Sequence, residues 1–212
     1  MKRRARMASM TFLLAFVLLL AGVQRAPVVP VGTTAPGFAA TDDRGATRSL
    51  ADFKGRWVVL EWHEKGCPYV TKHYRTGHMQ RLQKQWTDRG VAWLMITSSA
   101  EGNHSYLTQD ESRAYLTELK ASHTAHLLDV AGTIGRQYGV LTALHMVVID
   151  PAGTVVYNGA IDDKPTTRVE DLATATNYVQ QALTDARAGR PVIPATTEPY
   201  GCSVHYSAAQ GK

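Results

Sequence analysis

Two cysteines, Cys67 and Cys202, carry the sharpest chemistry this 212-residue chain can offer. Cys67 lies in Trp62-His63-Glu64-Lys65-Gly66-Cys67-Pro68-Tyr69, where the apolar run Trp57-Val58-Val59-Leu60-Glu61-Trp62 ends in a Gly-Cys-Pro break. The run is bounded by Gly55 and suits a central strand buried on both faces. Pro68 then suits the first position of a helix, where its missing N–H costs nothing. A cysteine at that point faces unpaired backbone N–H groups and the positive end of the helix dipole. Both favour the thiolate, which is the nucleophilic form. Lys65, Lys72 and Arg75 lie close in sequence and would add positive potential. The bland alternative is a buried, inert thiol.

The elements that must hold this cysteine follow from periodicity and turn chemistry. Residues 26–37 read as an extended arm, and 38–50 as a short hairpin turning at Asp43-Arg44-Gly45. After Pro68, the positions Val70, Tyr74, Met79, Leu82 and Trp86 recur near a 3.6-residue period. One helix with a kink at Gly77 is expected, stopped by Gly90. Residues 91–97 form the next strand and 98–109 a polar loop. Thr108-x-x-Glu111 matches a capping box that opens a second helix. A short strand at 126–128 and a brief helix at 133–138 come next. Strands at 146–149 and 154–157 are joined by the turn Asp150-Pro151-Ala152-Gly153. Thr167-x-x-Glu170 is expected to open the last helix, with Val169, Leu172, Val179, Leu183 and Ala186 on one face. The order predicts an α/β fold: a mixed β-sheet with helices on both faces, an N-terminal hairpin and an irregular C-terminal tail.

The chain starts with Lys2, Arg3, Arg4 and Arg6, then runs apolar over 10–23, the pattern of a secretory signal. That run is shorter than the ~20 residues of a spanning helix. No clean small-x-small cleavage site follows it, so an uncleaved anchor is the alternative. The expected location is exported, periplasmic or secreted. The organisation expected is a leader at 1–25, one folded domain at 31–188 and a tail at 189–212 that carries Cys202. The leader holds five of the 23 Lys and Arg and no acid, which leaves 18 bases against 18 acids in the rest. A near-neutral body gives no reason to expect nucleic acid, and membrane contact is expected only through an uncleaved leader.

Taken in order, several segments resemble the thioredoxin superfamily. They are Val58-Val59-Leu60-Glu61-Trp62, Cys67-Pro68-Tyr69-Val70-Thr71-Lys72-His73-Tyr74, His145-Met146-Val147-Val148-Ile149-Asp150, Tyr157-Asn158-Gly159-Ala160-Ile161-Asp162 and Pro199-Tyr200-Gly201-Cys202-Ser203-Val204-His205-Tyr206. The set is more similar to exported redoxins of the alkyl-hydroperoxide-reductase/thiol-specific-antioxidant type and covers roughly 31–206. The resemblance implies a thioredoxin-like sheet and a thiol-dependent oxidoreductase, either a peroxidase or a disulfide oxidoreductase. Three departures qualify it. Val70 stands where thioredoxins have the second cysteine of Cys-x-x-Cys. Glu64 stands where peroxiredoxins place Thr or Ser. Leu144 stands where the superfamily has a cis-proline, and a cis bond there would cost ~3 kcal/mol, so a trans bond is expected. Glu61 matches a buried thioredoxin carboxylate, which implies a proton relay with a pKa raised by burial. Its alternative is a surface or salt-bridged glutamate.

Without a local dithiol, Cys67 needs a distant partner. Cys202 would resolve a sulfenic acid or mixed disulfide on Cys67 by forming Cys67–Cys202. A permanent structural disulfide and two thiols that never meet remain as alternatives. Electrons would come from a thiol donor protein, and the substrate would be a peroxide or a protein disulfide. No flavin or nicotinamide motif is present, so no cofactor is expected. His63, His73, His145 and His205 fall in the motif segments, His73 expected near the site's rim and His145 facing Cys67. Without a second nearby cysteine or a His-x-x-x-His spacing, no metal site is expected. The rivals to an enzyme are a redox-inactive binding module on the same fold and a metal carrier.

Overall fold

The computed structural model describes residues 28–206; the leader expected at 1–25 lies outside the described residues. Five strands form the main sheet: β3 (Val58–Trp62), β4 (Ala92–Thr97), β5 (Ala125–Leu128), β6 (His145–Ile149) and β7 (Val155–Ala160). A hairpin of β1 (Ala39–Thr41) and β2 (Thr47–Ser49) precedes them. The sheet order is β5-β4-β3-β6-β7, with β3, β4 and β5 parallel and β6 antiparallel to both of its neighbours, β3 and β7. Every residue of β3 and β4 is buried, as expected of near-continuous apolar strands covered on both faces, and Glu61 of β3 is buried with them.

Five helices complete the fold: α1 (Pro68–Arg75), α2 (His78–Thr87), α3 (Gln109–Leu119), α4 (Thr133–Gln137) and α5 (Tyr178–Arg187). Val70, Tyr74, Met79, Trp86, Val179 and Leu183 of α1, α2 and α5 pack on one face of the sheet with Val59, Trp93 and Met146. Ile134 and Tyr138 cover the other face, together with Phe53, Val29 and Ala35 from the 3₁₀ turn and the N-terminal arm. The architecture expected from the sequence is present. No described helix is long and apolar enough to cross a membrane.

Two helices differ from expectation. The helix after Cys67 is broken into α1 and α2, because Gly77 adopts φ +71 and caps α2. Only glycine enters that region without strain, so the kink becomes a stop. The last helix starts at Tyr178 rather than near Thr167, and Val169–Ala173 is only a 3₁₀ turn. There Asp171 accepts from Thr166 and Arg168, and Asp163 accepts from the Thr176 N–H. These local bonds compete with the helix ladder until the Asn177 side chain caps Gln180.

The tail is irregular but not loose. Asn158 N–H donates to Ala195 O along the free edge of β7, and Val204 N–H donates to Leu141 O before β6.

At α3, Thr108 Oγ1 accepts from the Glu111 N–H, and the Glu111 carboxylate accepts from the Thr108 N–H at 2.8 Å. Thr108→Ala should lower stability by about 1 kcal/mol; the urea unfolding midpoint measures it.

Candidate active site

Cys67 is the N-cap of α1, with Pro68 at the first helical position. The chain reaches it from β3 through Gly66, and the Cys67 N–H donates to Glu64 O at 3.3 Å. Cys67 is 2% exposed and Cys202 is half-buried. The two are joined in a disulfide, with Cα atoms 5.8 Å apart across 135 residues of sequence. Of the pairings the sequence left open, the two thiols that never meet are excluded.

The tail reaches Cys67 as an extended segment held by an isolated bridge and backbone hydrogen bonds. Ala143 N–H donates to Cys202 O at 2.9 Å, Thr142 bridges Ser203 in antiparallel fashion, and Val204 N–H donates to Leu141 O at 2.9 Å. The Cys202 N–H points at Cys67 Sγ, 3.3 Å away. Gly201 permits this approach, because a Cβ there would lie 2.3 Å from the Ala143 carbonyl oxygen. The next residue, Leu144, follows a trans peptide as expected, and holds φ +57. That left-handed conformation costs a non-glycine residue about 1–2 kcal/mol. Its N–H donates to Trp62 O at 2.7 Å, so the bend is fastened to the end of β3.

A second anchor lies one residue before Gly201. The Tyr200 hydroxyl donates to Asp162, and Lys72 Nζ lies 5.3 Å over the Tyr200 ring. Lys72 itself is buried and donates to Lys164 O at 2.7 Å. Burial pushes its pKa down, against the opposing pull of Asp162, Asp171 and Asp163. The cation expected to serve the cysteine is thus committed to the tail's anchor. Lys65 Nζ instead lies 5.7 Å over the Tyr115 ring.

Glu61 is fully buried on the same face of the sheet as Cys67, but its partners are not sulfur. Tyr74 Oη donates to it at 2.7 Å, Gln83 Nε2 at 3.0 Å and Trp93 Nε1 at 2.7 Å. His63 Nδ1 stands 3.7 Å away. Burial pushes the Glu61 pKa up, but the His63 ring and the hydrogen bonds from Tyr74 and Trp93 outweigh it. The pKa ends below the ordinary glutamate value, which reverses the raised value expected from burial alone.

The histidines also part from expectation. His145 lies on the far face of the sheet from Cys67, its ring 5.8 Å from Trp62 and its Nε2 2.5 Å from Asn158 Oδ1. Side chains alternate along β6, and Met146, not His145, shares the Cys67 core. Burial lowers the His145 pKa to about 4. His73 is wholly buried instead of at a rim, its Nδ1 3.2 Å from that of His78. Burial, with Lys72 and His78 adding to it, holds its pKa at about 2.

Glu64 is the neighbour that sequence reasoning noted only as a departure. It is buried, it accepts from Ser105 Oγ at 2.7 Å, and a carboxylate oxygen lies within 4.8 Å of both sulfurs. Its place three residues before the cysteine was the available signal.

The AhpC/TSA family model matches residues 31–158. Among solved structures, a conserved protein from Geobacillus kaustophilus is 23% identical with a TM-score of 0.72, over 85% of this chain and 94% of that one. A hypothetical protein from Sinorhizobium meliloti 1021 is 19% identical with a TM-score of 0.75, over 86% and 98%. A thiol:disulfide interchange protein from Bacteroides sp. is 21% identical with a TM-score of 0.53, over 76% and 95%. No curated protein matches the chain in sequence.

Two outcomes follow from the geometry. A pKa held below the ordinary glutamate value of 4.5 contributes stability above that value, which is lost as pH falls through the folded value. Glu61→Gln should therefore remove about 3 kcal/mol at neutral pH and flatten the acid-side decline, read by denaturant unfolding at several pH values. Gly201→Ala should press the tail off Ala143 and lower the equilibrium constant for Cys67–Cys202 about tenfold or more, measured by thiol alkylation in redox buffers.

Proposed function

Because the chain belongs to the AhpC/TSA family, we propose that it is an exported thiol oxidoreductase working by disulfide exchange, with Cys67 as nucleophile and Cys202 as resolving thiol. The observation that carries this reading is the tail itself. Cys202 is presented to Cys67 on an extended segment that pairs with 141–143, the arrangement a cysteine-bearing polypeptide would take on attack. The name of the Bacteroides relative points the same way. Glu64 supports the choice over peroxide, since a carboxyl group stands where peroxiredoxins place a Thr or Ser hydroxyl and lies within 4.8 Å of the sulfur.

The cycle balances with thiols alone. The Cys67 thiolate, stabilised at the N-terminus of α1, attacks a partner disulfide and forms a mixed disulfide as the other partner sulfur leaves as thiolate. Cys202 then attacks Cys67 Sγ, closes Cys67–Cys202 and releases the second partner thiol. A donor protein's dithiol restores both cysteines. Its first attack falls on Cys202, the more exposed sulfur, and expels Cys67 as the better leaving group. Glu61 enters as a positioning residue, fixing α1 through Tyr74. The signal-like pattern of residues 1–25 supports a location outside the cytoplasm, in the periplasm or beyond.

The test compares wild type, Cys67→Ser and Cys202→Ser as reduced proteins, offered an oxidised protein substrate or hydrogen peroxide. Wild type should reduce the protein disulfide catalytically. Cys67→Ser should fall to the uncatalysed background, and Cys202→Ser should stop as a mixed disulfide on Cys67. Faster consumption of peroxide than of disulfide would replace the exchange reading with a peroxidase. Inertness of wild type toward both would leave the redox-inactive binding module.

A further inference from the structure

We propose that Glu64, His104 and His205 form a site for a borderline divalent cation such as Zn²⁺. The three residues come from the loop after β3, the polar loop after β4 and the tail, so no local spacing announces them. One ligand atom from each lies within 4.8 Å of the other two. Glu64 Oε1 and His104 Nε2 are already 3.2 Å apart. Zn²⁺ bound tetrahedrally to nitrogen and oxygen at ~2.0–2.1 Å places its ligands about 3.3 Å from one another. The His104–Glu64 pair meets that spacing, and His205 needs to close by ~1.5 Å at most.

A second observation independently points to an occupant. Glu64 is 4% exposed, and while Oε1 accepts from Ser105 Oγ, its buried Oε2 has no hydrogen-bond partner. A buried carboxylate oxygen left in that state is costly, and because Oε1 is the oxygen that faces His104, a cation there would satisfy Oε2 through bidentate contact with the carboxylate. Both histidines are exposed, so no packed core fixes their imidazoles. Their rings already meet edge to face with centroids 5.4 Å apart. The backbones that carry them are tied together, with Ala100 N–H and Asn103 Nδ2 both donating to His205 O. Two imidazoles and one carboxylate leave a fourth position for water, a donor set that suits zinc better than calcium or magnesium.

The cysteines are not part of this site. Glu64, Cys67 and Cys202 form a second cluster, but in the disulfide form the sulfurs are bonded to each other. The cation therefore belongs to the oxidised protein, where His205 is held beside the loop by the docked tail. Its consequence is mechanical: it clips the tail to the loop three residues beyond Cys202.

The experiment is a Zn²⁺ titration of untagged, fully oxidised protein by calorimetry, in wild type, His104→Ala and His205→Ala. Free-thiol counts and circular dichroism confirm that each variant keeps the disulfide and the fold. One Zn²⁺ per chain is expected, with affinity lowered at least about tenfold in each variant. Absence of saturable binding to wild type would overturn the site, as would equal affinity in the variants. Because no turnover is measured, failure here leaves the oxidoreductase reading untouched, and failure of that reading leaves the cation site standing.

Discussion

A carboxylate with no exposed surface is the constraint around which this fold is arranged. Glu61 sits on the central strand, ionised, in a medium where an unpaired charge is prohibitively costly. It is tolerated because three donors converge on it from three elements: Tyr74 of α1, Gln83 of α2 and Trp93 of β4. Each donor must keep its place for the charge to stay paired, so the carboxylate fixes the helix pair against the sheet. Tyr74 remains a phenol and a donor because burial and the adjacent Glu61 push its pKa well above the ordinary value. The orientation of α1 decides where its N-cap lies, and Cys67 is that N-cap.

The second organising contact is the return of the tail. A half-buried cysteine is brought to a buried one by backbone hydrogen bonds to 141–143, by Tyr200 against Asp162 and by the close approach that Gly201 allows. The receiving loop carries its own conformational cost in Leu144, whose left-handed backbone persists because its N–H is fixed to Trp62 O and its side chain is fully buried. These features act on one another. The loop presents two backbone groups to the tail, the tail delivers a sulfur, and the disulfide holds the tail over the helix terminus.

Much of the fold was legible because it is written in short-range patterns. The apolar run over β3, Pro68 after Cys67, the Thr108–Glu111 box and the Asp150–Gly153 turn each need only neighbouring residues to specify them. Where the reading failed, a distant or competing partner decided. Gly77 was visible as a kink, but whether it bends or ends a helix depends on the backbone angle that packing selects. The start of α5 moved to Tyr178 because aspartates at 163 and 171 bind their own surroundings. The direction of the Glu61 pKa lies beyond the sequence, because burial can be inferred from a strand, whereas donors 13, 22 and 32 residues away cannot.

The sequence alone determined the sheet's class, the place of the candidate nucleophile and the helix terminus that would favour its thiolate. Those properties rest on local periodicity, turn chemistry and the dipole of a single helix. Tertiary structure decided that Cys67 meets Cys202, that Glu61 is paired and ionised, that His145 faces away, and that Glu64 stands with two histidines from remote segments. Each of these depends on contacts between residues far apart in the chain, and only closure of the sheet and return of the tail bring such residues within reach.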